Sequence, residues 1–127
     1  MNEIGEYKGE SASLLEVGTH QLKVKADGNW WLEVRQPRIT DGDKLPQSLQ
    51  DTKLRVFGPF EFSGSHTAIC SHNGDHNFQV SLLPPEGQFN EFIFNEIGHY
   101  TGQTTFQYSG IGYIIVIADS KWSLELK

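Results

Sequence analysis

NEIGHYTGQT at residues 95–104 repeats NEIGEYKGES at residues 2–11, with six of ten positions identical. A second stretch, offset by 92 residues where the first is offset by 93, matches without an internal gap: GTHQLKVKADGNWWLEV, residues 18–34, lines up on GIGYIIVIADSKWSLEL, residues 110–126, sharing Gly, Val, Ala, Asp, Trp, Leu and Glu. Unrelated segments of average composition agree at about one position in fifteen, so the two stretches read as an internal duplication. Copies at 2–34 and 95–126 then flank a loop at 36–52 and a different middle at 53–94, and the simplest body is one pseudo-symmetric domain spanning residues 1–127. The first copy has no preceding counterpart of residues 60–94, so the duplication starts in mid-unit. Either an upstream hairpin was lost or the chain begins inside a longer protein.

Within the first copy, Leu22, Val24 and Ala26 alternate with Lys23 and Lys25, and Trp30, Leu32 and Val34 alternate with Trp31, Glu33 and Arg35. Asp27-Gly28-Asn29 breaks the pattern, and a period of two around an Asp-Gly turn predicts a β-hairpin with Trp30 in the core. The second copy repeats the scheme with Ile114, Val116, Trp122, Leu124 and Leu126 around a turn at 119–121. Ile115 and Ile117 replace the two lysines, so residues 114–117 are apolar on both faces and must be covered by the 36–52 loop, by another layer or by a second chain. The Glu-Ile-Gly-x-Tyr-x-Gly opening of each copy predicts a tyrosine ring laid over closely approached backbone.

The middle reads as strands at 54–57, 60–70, 77–83 and 89–94, separated by turns at Gly58-Pro59, Asn73-Gly74 and 84–87. Residues 36–52 are too polar and too broken by Pro37 and Pro46 for a strand, with one helical turn over 45–49, and a loop of that length is often functional. Roughly ten short strands exceed what one open sheet holds comfortably. The expected fold is therefore all-β: a two-layer antiparallel β-sandwich of jelly-roll type with an internal pseudo-symmetric duplication.

Composition narrows the function. The chain has 127 residues, 13 glycines, 12% aromatics and a formal charge of -6. An acidic chain without clustered Lys and Arg argues against nucleic acid. The single Cys70 excludes an internal disulfide and leaves the compartment open. The first twenty residues carry five charged side chains instead of a leader's apolar stretch, and no run reaches membrane-spanning length, so a soluble chain without membrane insertion is expected.

Three groups of residues carry candidate chemistry. Trp31, facing away from Trp30 beside Lys23, Lys25, Glu33 and Arg35, has the composition that stacks a sugar ring and satisfies its hydroxyls; packing under a loop or at a subunit contact explains it as well. Ile115 and Ile117 mark a homo-oligomer interface if the cover is a second chain. His66, His72, Asp75 and His76 gather around the Asn73-Gly74 turn, and a three-residue turn would oppose His72 and His76 about 5 Å apart, a spacing that chelates a divalent ion. A two-residue turn would instead oppose His72 and Asp75, leaving polar histidines at a hairpin tip. Asp27 and Asp119 read as turn residues, one carboxylate each being too few for calcium.

No nucleophile elbow, zinc-protease motif, phosphate loop or distinctive carboxylate pair is present. The expectation is a non-enzymatic module, with no cofactor unless the histidines hold a metal, recognising a glycan or a protein through a face or edge loops. The alternatives are an assembly subunit and a metal-dependent domain.

Overall fold

A computed structural model describes residues 6–35, 41–84 and 91–127. Among these lie nine strands and no helix: β1 (Asp43–Lys44), β2 (Gln47–Asp51), β3 (Arg55–Phe62), β4 (Ser65–His72), β5 (Asn77–Leu83), β6 (Glu91–Ile97), β7 (Tyr100–Gln107), β8 (Gly110–Ile117) and β9 (Trp122–Leu126). They form a five-stranded sheet, β1-β3-β8-β5-β6, and a four-stranded sheet, β2-β9-β4-β7. All pairings are antiparallel except the short β1 on β3. With no helix among the described residues, none is long and apolar enough to cross a membrane.

Alternation along each strand builds the core. In β4 the residues His66, Ala68, Cys70 and His72 are buried and the intervening ones are not. In β9 the same holds for Trp122, Leu124 and Leu126. These side chains meet Phe60 and Phe62 of β3, Phe78 and Val80 of β5, and Ile114 and Val116 of β8 in one cluster, so the two sheets pack face to face, an arrangement consistent with a β-sandwich. Phe57 closes edge-on against Trp122, with ring centroids 5.6 Å apart.

Consecutive strands mostly change sheet. β4 and β5 lie in opposite sheets, as do β8 and β9, and only β5 and β6 are both sequential and paired. The expected hairpins at 73–75 and 119–121 are therefore crossovers, and neither register weighed for His72 and His76 exists. Strand periodicity placed the apolar face correctly but carries no information about which strand pairs with which.

Two other expectations are corrected. Residues 47–51 form β2, paired with β9 from Gln47↔Leu126 to Asp51↔Trp122, and are neither loop nor helical turn. Their sequence QSLQD holds one apolar residue, so the strand owes its existence to the ladder it joins. Gly58-Pro59 lies inside β3, where the register with β8 shifts between Phe57 and Phe60. Gly58 adopts φ 119°, and a Cβ there would stand 3.1 Å from the Gly112 carbonyl oxygen, so the bulge needs glycine. The break falls later, at Ser63-Gly64, between β3 and β4. The strand expected from residue 89 is described from Glu91, and the turn beyond Pro84 lies outside the described residues, as do Glu3-Ile4-Gly5 and 36–40.

The first copy departs most. Residues 6–35 contain no strand, and Trp30 is 58% exposed where its counterpart Trp122 is 1% exposed. The reason is partnership. β8 is held between β3 and β5, and β9 between β2 and β4, whereas the described residues supply one such set of neighbours, already occupied by the second copy. An isolated pair of strands is marginal in water. The tyrosine–glycine element does recur: a Cβ at Gly9 would strike the Tyr7 ring, and one at Gly102 the Tyr100 ring. The segment is tied to the body where Glu10 accepts the Val56 backbone N–H at 3.1 Å and approaches Arg55 at 3.3 Å.

The aligned tryptophans give a direct comparison. Trp122→Ala should cost about 3–5 kcal/mol, the range for a buried aromatic truncation, and Trp30→Ala less than about 0.5 kcal/mol, as for surface sites, both read from urea unfolding.

Candidate binding face

Residues that alternate with the core positions of the four-stranded sheet point outward, and most of them are hydroxyls and amides. Ser48, Glu125, Ile69 and Gln103 make one row across β2, β9, β4 and β7, and Gln50, Ser123, Ser71 and Thr101 make the next. Thr67 opposite Thr105 begins a third. The Ser71 and Ser123 hydroxyls are 2.6 Å apart. The first two rows, Gln103 apart, line a shallow, half-open groove of about 480 Å³, in which Ile69 is an aliphatic side chain among hydroxyls and amides. Glu125 is an ionisable group of this face and pairs with Lys127 at 3.3 Å. Cys70 also borders the groove, but its side chain points into the core, and burial pushes the thiol up to about 11, so it stays a neutral thiol.

The structure separates the residues grouped around Trp31. Lys23, Lys25, Trp31, Glu33 and Arg35 are exposed on a segment without strands, with Trp31 at 77% and Arg35 paired to Glu33 at 2.7 Å. The second copy shows why they could not share one face even as strands. The counterparts of the lysines, Ile115 and Ile117, lie on the five-stranded sheet, while those of Trp31 and Glu33, Ser123 and Glu125, lie on the four-stranded sheet. Ile115 is 5% exposed within the chain itself and Ile117 is 40% exposed.

The histidines are also divided. His66 is the second residue of β4 and sits at the opposite end of the strand from His72; its Nε2 accepts the Ser63 N–H at 3.0 Å and its ring packs on Phe62 and Phe106. His72 and His76 do come together, through Asp119 instead of through a hairpin register. His72 is wholly buried and stacked on Phe78 at 4.9 Å. Its Nδ1 faces the Gly98 carbonyl at 2.9 Å and therefore carries the hydrogen. Its Nε2 lies 2.9 Å from Oδ1 of Asp119. The exposed His76 approaches Oδ2 through Nδ1 at 2.8 Å, and the Asp75 and His76 backbone N–H groups reach the same oxygen at 3.3 Å. Asp75 itself is exposed, 3.7 Å from His99. No group of three or more His, Cys, Asp or Glu among the described residues is arranged to hold a metal ion; His72 and His76 meet Asp119 in an inter-crossover latch, and His66 stands apart from it.

The latch fastens three chain crossings at one end of the body. Asp119 lies between β8 and β9, His76 between β4 and β5, and Gly98 between β6 and β7. Backbone bonds reinforce it, Asn73 N–H to Lys121 O at 3.0 Å and Gly98 N–H to His76 O at 2.9 Å. Sequence reading saw Asp119 as a turn residue because its partners are more than forty positions away. It missed the hydroxyl face for a different reason: β2 does not read as a strand, so two of its rows were invisible.

No protein-family model matches the chain, and neither a curated protein nor a solved structure is found to be similar to it.

The hydrogen bond from His76, joined by the backbone donors, lowers the Asp119 carboxyl from 3.8 to about 2. A carboxyl held below its unfolded value stabilises the fold above about pH 4 and loses that contribution as pH falls through about 2. Asp119→Asn should therefore cost about 1 kcal/mol at pH 7, after discounting for a carboxylate near the surface, and the difference from the parent should be mostly gone at pH 2. Urea midpoints at pH 7, 4 and 2 measure this.

Proposed function

We propose that this chain is a non-enzymatic binding module of jelly-roll type whose outer four-stranded face takes a neutral glycan. The jelly-roll reading is supported by the sequence of sheet changes, which sets β2-β9-β4-β7 against β3-β8-β5-β6 in the manner of two interlocked Greek keys. Fold alone says nothing of ligand.

The observation that carries the ligand class is the outward grid of Ser48, Gln50, Ser71, Thr101, Gln103 and Ser123 around Ile69 and Glu125. A polyhydroxylated ligand offers closely spaced groups that both donate and accept, and hydroxyl and amide side chains answer both roles. A protein partner selects several aromatic and apolar anchors, where this face offers Ile69, and a nucleic acid selects clustered cations, where it offers Lys127, already paired to Glu125 at 3.3 Å. Ile69 gives an apolar ring face something to rest on. An open groove of this depth excludes little water, so affinity for one oligosaccharide is of the order of about 1 mM and rises through repeated contacts along a polymer.

Titrating neutral oligosaccharides while following backbone amide resonances should move Ser71, Thr101, Ser123 and Glu125. Glu125→Ala and Gln103→Ala should each weaken binding about tenfold, the loss of one to two hydrogen bonds, with urea midpoints unchanged. Shifts confined to other surfaces, or no shifts across a neutral glycan panel, would sink the reading.

A further inference from the structure

Residues 18–35 carry an apolar set with no counterpart to bury it. Leu22, Val24, Trp30, Leu32 and Val34 are 68%, 42%, 58%, 51% and 75% exposed. Their aligned positions Ile114, Val116, Trp122, Leu124 and Leu126 are each 0% or 1% exposed in β8 and β9. All five core positions of a β8–β9 pair are thus filled by apolar side chains in the first copy, and all five stand in water. Isolated surface leucines need no explanation, but a register-perfect match to a buried face does.

We infer that residues 18–35 are a donor segment that completes a second two-sheet unit, supplying its β8 and β9 to an acceptor built like this chain's own β2–β6. The second copy shows what such an acceptor offers. One slot lies between strands of β3 and β5 type, the other between strands of β2 and β4 type in the opposing sheet. Each slot satisfies a donor strand's backbone on both edges and its apolar side chains on the inner face. The acceptor also carries a base at the crossing, because Asp27 aligns on Asp119, which meets His72 and His76.

A second copy of this chain is the poorer occupant. Its slots are already filled by Ile114, Val116, Trp122, Leu124 and Leu126, and exchange would expel one apolar face for each one buried, with no net gain. The partner is therefore a polypeptide presenting the unfilled β2–β6 part of the same architecture. In the completed unit, Trp31 and Glu33 take the outward places of Ser123 and Glu125, and Lys23 and Lys25 those of Ile115 and Ile117, giving a face distinct from that of the described unit.

The acceptor can be supplied covalently. Asn2 aligns on Asn95, so a chain in which residues 43–94 are repeated directly before Asn2 reads continuously into the first copy and keeps the whole parent sequence behind it. A control chain carries residues 95–126 in place of the first copy and sets the protection reached when the slots are filled. By hydrogen exchange, residues 22–34 should exchange at least about 100-fold more slowly in the grafted chain than in the parent, approaching the control. Adding Leu32→Asp to the graft should abolish this while residues 114–126 stay protected. Fast exchange at 22–34 in the graft, with the control protected, overturns the inference. So does a parent dimer that already protects 22–34 and dissociates on Leu32→Asp, because the occupant would then be a second copy.

Discussion

The body rests on one geometric constraint: after almost every strand the chain must leave its sheet and join the other. Only β5 and β6 are neighbours both in sequence and in a ladder. Each crossing has to span the gap of about 10 Å between packed sheets with few residues and leave its backbone satisfied. At one end the answer is Asp119, whose two oxygens reach a buried ring from β4 and an exposed one from the next crossing. Gly74 passes so close over this pair that any side chain there would strike the Asp119 carboxylate and the His72 ring. At the other end the Tyr108 N–H bonds the Gly64 carbonyl at 2.9 Å, and the Gly64 N–H bonds the Ser109 hydroxyl at 2.9 Å. The two ends solve one problem with different chemistry, a charge-centred cluster and a set of neutral turn bonds.

What the sequence revealed, and what it hid, follows from the same constraint. Period-two alternation reports which face of a strand is buried, and it placed Ile114, Val116, Trp122, Leu124 and Leu126 correctly. It cannot report the partner, so two crossings were read as hairpins. β2 was hidden because an edge strand with a single apolar residue, Leu49, gives no periodic signal. Gly58-Pro59 misled in the opposite direction, since the residues that usually end a strand here make a bulge within one. The first copy is the sharpest case: it has the same pattern as β8 and β9 and a different fate, because a pattern specifies a strand only where neighbours exist to pair with it.

The two outer surfaces differ in chemistry. On the four-stranded sheet the outward residues are hydroxyls and amides around Ile69. On the five-stranded sheet Ile115 and Leu83 are buried despite facing outward, and Phe92, Ile97 and Ile117 are exposed. The polar grid was legible in part, as the alternation TGQTTFQ of β7 sends Thr101, Gln103 and Thr105 to one side. Its extent was not, since the rows are completed by residues from β2, β4 and β9 that lie far apart in the chain.

The placing of β8 and β9 bears on how the molecule is made. They are the central strands of their sheets, yet they follow every other described strand in chain order. During synthesis the preceding strands emerge with both sheets split down the middle, and four inner edges stay unpaired until residues 110–126 arrive. Open edges of that kind recruit any strand of suitable pattern, which makes the interval before completion the period of greatest exposure to misassembly. Vectorial synthesis thus sets the order in which the body can close, from its flanks to its centre.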